Sequence, residues 1–383
     1  MMKQSQLTLI VFMLMNFVIG MSAMVFGGIL DQVARSLNVS IAWTGLLATT
    51  FSIGAAIGVP IILIVFAQVN RKRLMLILLG LSLLSNIATI LAPNFALLLV
   101  ARTLMGITIN GYGVMAISTV TSLSDKDRRG RSLSFLIMGN ALAMLVGVPL
   151  ARALSGILDW RGIFWLLNAL TLLAFIYFVL VLPNAQKETE KISISEQFGY
   201  LNSIKVWTIL IFTLFMFSGF AALNTFVTPF LLDRFPSLNP IMSLVLVGLG
   251  LASFIGNNMG GHLSDRIGYS KSMMVGAILQ TLNILLVIVF RNFTLFNVLF
   301  IIFWIMSAWI TGLQLNLGIV QETHHNARFI ISLTGTSIQL GSAIGSSIAA
   351  LIVLNFGIQN IVFFTLATSL LTVIIQGFAL RIR

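Results

Sequence analysis

The chain has 383 residues, 58% of them hydrophobic and only 8% charged, with a mean hydropathy of +1.05. Soluble domains carry roughly 25% charged residues, so this composition excludes a water-soluble globule and requires a surface that faces lipid. The net charge of +12 would suggest nucleic acid in a soluble protein. Here the basic residues sit in short links between apolar segments, a membrane-protein pattern, and no nucleic-acid partner is expected. The absence of cysteine excludes disulfides, thiolate metal sites and a cysteine nucleophile, and three histidines are too few to suggest a histidine metal site.

A bilayer core of about 30 Å needs roughly 20 apolar residues per helix. The first apolar run starts near Leu7 and is too long for the apolar core of a signal peptide. The predicted spans follow at about 7–29, 43–66, 73–92, 96–120, 132–155, 162–183, 206–230, 240–260, 272–290, 295–320, 329–354 and 359–380. The fold expected is an all-α integral membrane protein of about twelve transmembrane helices.

Charge orients these spans. With the N-terminus in the cytoplasm, that side holds Lys3, Arg71, Lys72, Arg73, Lys126, Arg128, Arg129, Arg131, Lys187, Lys191, Lys205, Arg266, Lys271, Arg328, Arg381 and Arg383. The opposite side holds Arg35, Arg161, Arg234 and Arg291, while Arg102 and Arg152 lie inside segments. The bias predicts a multi-pass protein of the cell membrane with both termini cytoplasmic. The long polar stretch from Pro183 to Lys205 divides the spans six and six. The expected organisation is therefore an N-terminal six-helix bundle over residues 1–183, a cytoplasmic linker over 184–205 and a C-terminal six-helix bundle over 206–383.

Between the eighth and ninth spans runs Gly260-Gly261-His262-Leu263-Ser264-Asp265-Arg266-Ile267-Gly268. So short a link between two spans is a tight turn at the membrane surface, with glycines that let backbones approach closely. Asn70-Arg71-Lys72-Arg73 occupies the same place in the first half. The fourth span carries Arg102-Thr103-Leu104-Met105-Gly106 and then Asn110. An arginine that deep is costly unless it faces a cavity or a partner, or snorkels to the headgroups. The fifth span carries Gly139-Asn140 and Gly147-Val148-Pro149-Leu150-Ala151-Arg152, which permit close packing and a local bend. The run from Gly341 to Ser346 is a small-residue face suited to helix packing.

The Gly-x-Leu-x-Asp-Arg-x-Gly pattern after the eighth span, Arg102-x-x-x-Gly106 and the Gly147-x-Pro149 end of the fifth helix resemble the motifs of the major facilitator superfamily, within it the drug:proton antiporter branch. Gly27-Gly28-Ile29-Leu30, Ala92-Pro93-Asn94-Phe95, Asp159-Trp160-Arg161 and Gln339-Leu340-Gly341-Ser342 look like bacterial efflux permeases for purine bases and nucleosides, and for arabinose and related sugars. The resemblance covers nearly the whole chain. It implies two six-helix bundles, alternating access, a monomer, and gating or coupling roles for Arg71, Arg102, Gly147, Pro149, Gly261, Asp265, Arg266 and Gly268.

Two positions depart from that pattern. The loop after the second span has Ala67 and Asn70 where the family signature has glycine and aspartate. Purine-efflux relatives carry an acidic residue in the first helix where this chain has Ser22-Ala23-Met24. None of the ten acidic residues falls in the middle of a predicted span. A proton-coupled carrier ordinarily uses an intramembrane ionisable group, and Asp31, at the outer end of the first helix, and Glu322, beside His324 and His325, are the nearest substitutes. Arg152 stands where the branch usually has a small or apolar residue.

A solute site is expected at the midplane between the halves. Asn110, Asn140, Asn224, Gln314, Asn316 and Gln339 are polar at that depth, with Trp304 and Trp309 on the tenth helix. Uncharged amides with aromatics suit a neutral, hydrogen-bonding planar or hydroxylated solute. Asp265 could face the positive end of the helix starting near Ser132 and latch an inner gate. No Gly-x-Ser-x-Gly elbow, phosphate-binding loop or metal-ligand cluster is present, so no enzyme activity, catalytic residue, metal or cofactor is expected. The function expected is export of a small neutral organic solute (nucleobase, nucleoside, sugar or drug-like molecule), in exchange for protons. An uncoupled facilitator and a non-transporting membrane sensor on the same fold are the alternatives.

Overall fold

The computed structural model describes residues 2–66, 69–124, 129–183, 203–322 and 328–381. Among them, twelve helices are long and apolar enough to cross a membrane. They are α1 (Gln6–Ser36), α2 (Ile41–Ile62), α3 (Arg71–Leu91), α4 (Phe95–Leu123), α5 (Ser132–Leu154) and α6 (Trp160–Val181), then α7 (Ile204–Thr225), α8 (Pro236–Ile267), α9 (Tyr269–Val289), α10 (Thr294–Ile319), α11 (Leu333–Phe356) and α12 (Ile358–Arg381). The predicted linker over 184–205 lies outside the described residues save for its last three.

Lipid offers no hydrogen bonds to stray backbone, so every span must satisfy its polar groups internally. Hydroxyls do so by bonding back to carbonyls one turn earlier. Ser82, Ser85 and Thr89 form one such ladder on α3. Side chains cap the free N–H groups at helix starts: Asn70 accepts from Lys72 and Arg73 at α3, Asn94 from Leu97 at α4, and Asp159 from Trp160 at α6. Leucine, isoleucine, valine and phenylalanine cover the outer faces, with Leu84, Leu180, Leu244, Val289 and Phe356 exposed. In water that would be an aggregating surface; here it is the surface that meets acyl chains.

The chain forms two compact units, one of Met1–Val39 with Thr50–Glu190 and the other of Ser40–Thr49 with Lys191–Arg383. In the first, α1 packs on α5 and α6, and α3 packs on α4 and α6. In the second, α7 packs on α11 and α12, and α9 packs on α10 and α12. The pairing is the same with each helix number raised by six, the mark of an internal repeat.

Glycines make the tightest of these seams, because only a missing Cβ lets one helix touch the backbone of another. On α2, Gly54 lies against the backbone of Thr103, while Gly106 of α4 lies against that of Phe51. In the second unit Gly256 and Gly260 of α8 face the backbones of Met306 and Ile310 on α10. Gly139 of α5 meets Met13, and Gly341 and Gly345 of α11 meet Leu214 and Ser218 of α7. The small-residue run of the eleventh span is thus a packing face, as its composition implied.

Three local irregularities matter later. The backbone of α1 leaves helical geometry at Ile29 (φ −126°, ψ 17°) and then continues to Ser36, seven residues past the predicted end. Asp31 and Arg35 form an i,i+4 ion pair that extends the helix into the interface. In α5, residues Ala143–Gly147 form a wide π-turn just before Pro149; proline has no N–H and its ring clashes with the carbonyl four residues back, so the ladder widens there. Gly268, at φ +80°, ends α8 and starts α9 in a single residue, a conformation natural to glycine.

Candidate functional site

In the first unit the deepest charge is Arg102 of α4, whose side chain is 1% exposed. It does not snorkel. One guanidinium nitrogen donates to the Ser22 carbonyl at 2.9 Å and to the Met105 sulfur at 3.1 Å, and the other to the Ala23 carbonyl at 3.3 Å. The plane is sandwiched between Phe26 and Phe51, each ring centroid 4.6 Å away. Delocalised charge, a flat face and forked donors make arginine the residue that fits between two rings and two carbonyls. Where the resemblance leads one to expect an acid on α1, the backbone of that same stretch receives the arginine.

Two turns further along α1, Asp31 takes a short ion pair from Arg152 of α5 at 2.5 Å, and Arg152 also donates to the Gly28 carbonyl at 3.3 Å. Asp31 is bound on its other oxygen by Arg35 at 3.0 Å. The arginine that departs from the family pattern therefore has a partner, 121 residues away in sequence. Nearby, Arg161 donates to the Ser36 hydroxyl and to the carbonyls of Ile90 and Ala92, lies over the Trp160 ring and pairs with Asp159. The Trp160 indole N–H also donates to Ser36. Gly147 faces Met21 of α1, and Pro149 is buried.

Of the proposed solute-binding amides in this unit, Asn110 is half-buried and donates to the Gly106 carbonyl at 2.9 Å. Asn140 is exposed, its amide oxygen against Gly20 of α1. Arg71, at the start of α3, donates to the Ser118 carbonyl at 3.5 Å.

In the second unit Gln314 is fully buried on α10. Its amide nitrogen donates to the Gly260 carbonyl of α8 at 2.8 Å, so part of its polarity ties two helices together, while Oε1 has no hydrogen-bond partner. Higher on α10, Trp304 is buried and stacked on Phe220 with centroids 5.5 Å apart. The indole N–H groups of Trp304 and Trp309 have no hydrogen-bond partner. Asn224 and Gln339 are half-buried. Asn316 lies on α10, but its side chain falls outside the described residues.

The turn expected over Gly260–Gly268 is instead helix as far as Ile267, leaving Gly268 alone as the link; Asp265 and Arg266 in the last turn of α8 are exposed, as is Gly268, and Gly261 is half-buried. Glu322, just beyond α10, accepts from the Tyr269 hydroxyl at 2.6 Å and pairs with Lys205 at 3.5 Å, joining the starts of α7 and α9. His324, His325, Asp125 and Asp127 lie outside the described residues. The sequence reading passed over Tyr269 and took Arg161 only as an opposite-side charge and part of the Asp159-Trp160-Arg161 resemblance. Both stand at a helix start beside a recognised feature, Gly268 and Asp159, and that position was the available signal.

The family model of the Major Facilitator Superfamily matches residues 12–345. The chain belongs to that superfamily. Like its other members it is a multi-pass membrane transporter rather than an enzyme. Among similar superfamily proteins, the uncharacterized MFS-type transporter YbcL of Bacillus subtilis is 25% identical over 91% of this chain and 89% of its own. A protein of Helicobacter pylori named "Probable sugar efflux transporter" is 25% identical over 94% of this chain and 92% of its own. Among solved structures, the nucleoside transporter NupG superposes with a TM-score of 0.78 at 13% identity, covering 99% of this chain and 98% of that one. That likeness establishes the major facilitator fold.

Proposed function

We propose that this transporter exports a small neutral organic solute by alternating access, in exchange for protons, as in the drug:proton antiporter branch. A sugar or another polyhydroxylated molecule is the leading candidate. The observation that carries the solute class is the chemistry of α10. Two buried or half-buried indole N–H donors and one amide acceptor are unmatched there, and an aromatic pair is stacked beside them. Unmatched polar groups in a dry interior cost about 1–3 kcal/mol each, and a hydroxylated ring can satisfy them while lying on an aromatic face. On this reading Asn110, Asn140, Asn224, Trp309, Gln314, Asn316 and Gln339 contact solute, and Arg71, Gly261, Asp265, Arg266 and Gly268 act in gating. The name of the Helicobacter relative agrees with the sugar reading. The basic-residue bias supports cytoplasmic termini and a linker over 184–205, and the carrier acts as a monomer.

The test uses inside-out vesicles holding a pH-sensitive dye and an imposed proton gradient. Adenine, hypoxanthine, guanosine, arabinose and a cationic dye are added in turn. Collapse of the gradient with arabinose alone establishes sugar antiport, and collapse with guanosine or a purine base moves the assignment to that class. Collapse with the cationic dye alone refutes the neutral-solute reading. Solute flux that ignores the gradient promotes an uncoupled facilitator, which the lack of a mid-span carboxylate among the described residues favours.

A further inference from the structure

In the second unit α8 and α9 each pack along α10. Glycines draw both of them in. Gly256 and Gly260 of α8 lie against the backbones of Met306 and Ile310, and Gly276 of α9 lies against the Thr311 side chain. Between α8 and α9 this leaves a groove of about 610 Å³ with Ile310 in its floor. Phe254, Met259 and Leu263 line the α8 wall, and Val275 and Leu279 line the α9 wall. Phe254 is 50% exposed and Met259 48%, so no other part of the chain covers that wall.

The polar side chains of the α8 wall fall on one i,i+4 stripe, Asn258, His262 and Arg266. Asn258 donates to the Phe254 carbonyl at 2.9 Å, and His262 Nδ1 lies 3.0 Å from the Asn258 carbonyl. Both are turned back on their own helix. Arg266, the last of the stripe, is exposed and has no ion pair or hydrogen bond among the described residues. Lys271 stands one turn before Val275 on the same face of α9, and among the described residues it too is exposed and unpaired. Because Gly268 alone links the two helices, both walls end in a cation at the same membrane surface.

The nearby carboxylates do not cancel these charges. Asp265 is off the stripe and lines none of the groove. Glu322 is held by Lys205 and by Tyr269, which is buried on the side of α9 away from Lys271.

We propose that this groove binds one anionic phospholipid, with an acyl chain along α8 and the phosphate between Arg266 and Lys271. The lengths agree. From Leu263 to Phe254 the apolar wall rises about 14 Å at 1.5 Å per residue, against about 15 Å for half of a 30 Å hydrocarbon core. Arg266 follows about 5 Å further on, at the depth of a headgroup. A partner helix would be matched by a groove apolar from end to end, and a hydrophilic solute by polar groups turned outward. A wall as long as one leaflet that ends in two free cations matches neither. On the orientation proposed above, the leaflet is the cytoplasmic one, whose anionic lipids attract basic residues. The site goes beyond the transport reading and holds whichever solute is carried. A lipid seated there fastens α8 to α9 across a gap the chain leaves unfilled, and stabilises the folded carrier as its occupancy rises.

The test is native mass spectrometry of the full chain in a neutral detergent. It is titrated with phosphatidylglycerol and with phosphatidylcholine of the same acyl chains. The proposal expects one phosphatidylglycerol to bind at least fivefold more tightly than phosphatidylcholine. Arg266→Gln should weaken phosphatidylglycerol about fivefold, the worth of one cation beside an anionic lipid, and leave phosphatidylcholine unchanged; Arg266→Lys should keep most of the preference. Met259→Trp, at a half-exposed position on the tail wall, should weaken both lipids. Arg291→Gln removes an exposed cation beyond the far end of α9 and should change neither. Equal affinity for the two lipids overturns the proposal. So does a preference that survives Arg266→Gln, or one lost as fully in Arg291→Gln, which would mark a diffuse basic surface. Displacement of the lipid by inorganic phosphate would assign the cations to a free anion. A dimer that appears as lipid is stripped would assign the groove to a second copy of the chain.

Discussion

Gly345→Ala tests whether the tightest helix seams are set at backbone level. A Cβ at Gly345 would lie 2.6 Å from the Ser218 carbonyl carbon and 2.7 Å from its Cα, with the carbonyl oxygen closer still, where ordinary contact is 3.4–4 Å. The neighbour is backbone inside α7 and cannot rotate away, so α7 and α11 must separate by about 1 Å. Overpacking usually costs roughly 1–3 kcal/mol, here the upper part, about 2–3 kcal/mol, because the neighbour is backbone, and alanine's better helix propensity returns about 1 kcal/mol. A net loss of about 1–2 kcal/mol is expected, or a fall in Tm of roughly 2–8 °C for a unit of this size. The assay is thermal unfolding of detergent-purified protein followed by tryptophan fluorescence. Gly335→Ala is the control on the same helix, because a Cβ there meets nothing within 4 Å; its Tm should stay level or rise. A Gly345→Ala protein as stable as the parent, or a control that falls as far, would refute the reasoning.

Two further substitutions probe the charged contacts. Arg102→Lys should fail to replace arginine, since an ammonium cannot lie flat between Phe26 and Phe51 while forking to two carbonyls; a Tm drop of at least half that of Arg102→Gln is expected, and full rescue by lysine would contradict the sandwich. Tyr269→Phe removes the hydroxyl that donates to Glu322. A hydrogen bond to a charged group is worth about 1.5–3 kcal/mol, reduced here because Glu322 keeps Lys205. The Tm should fall by a few degrees, and in a Glu322→Gln background the same change should cost less; equal losses in both backgrounds would show that the pair is not coupled.

The twelve spans were readable because hydropathy at this length leaves little choice of fold. The depth of Arg102 could be read too, since an arginine one and a half turns into an apolar run stands out. Its partners could not, because they are backbone carbonyls of another helix, and carbonyls have no sequence signature. The same limit hid the Arg152–Asp31 pair, whose members lie on different helices and are each unremarkable alone. Gln314 shows a third limit: a buried amide can bind solute or tie two helices, and the choice depends on Gly260 bringing its carbonyl within reach. The seams of α2 and α8 were legible in principle. Gly54 and Gly58, and Gly256 and Gly260, have the same four-residue spacing as Gly341 and Gly345, and that spacing is what close helix approach requires.

Those seams also bear on how a fold can outlast its sequence. Where two helices meet through a glycine, the distance between them is set by main-chain atoms, which every residue type shares. Replacing the side chains around such a contact alters what the protein recognises far more than where its helices run. Evolution can thus retune the lining of this carrier without rebuilding its frame.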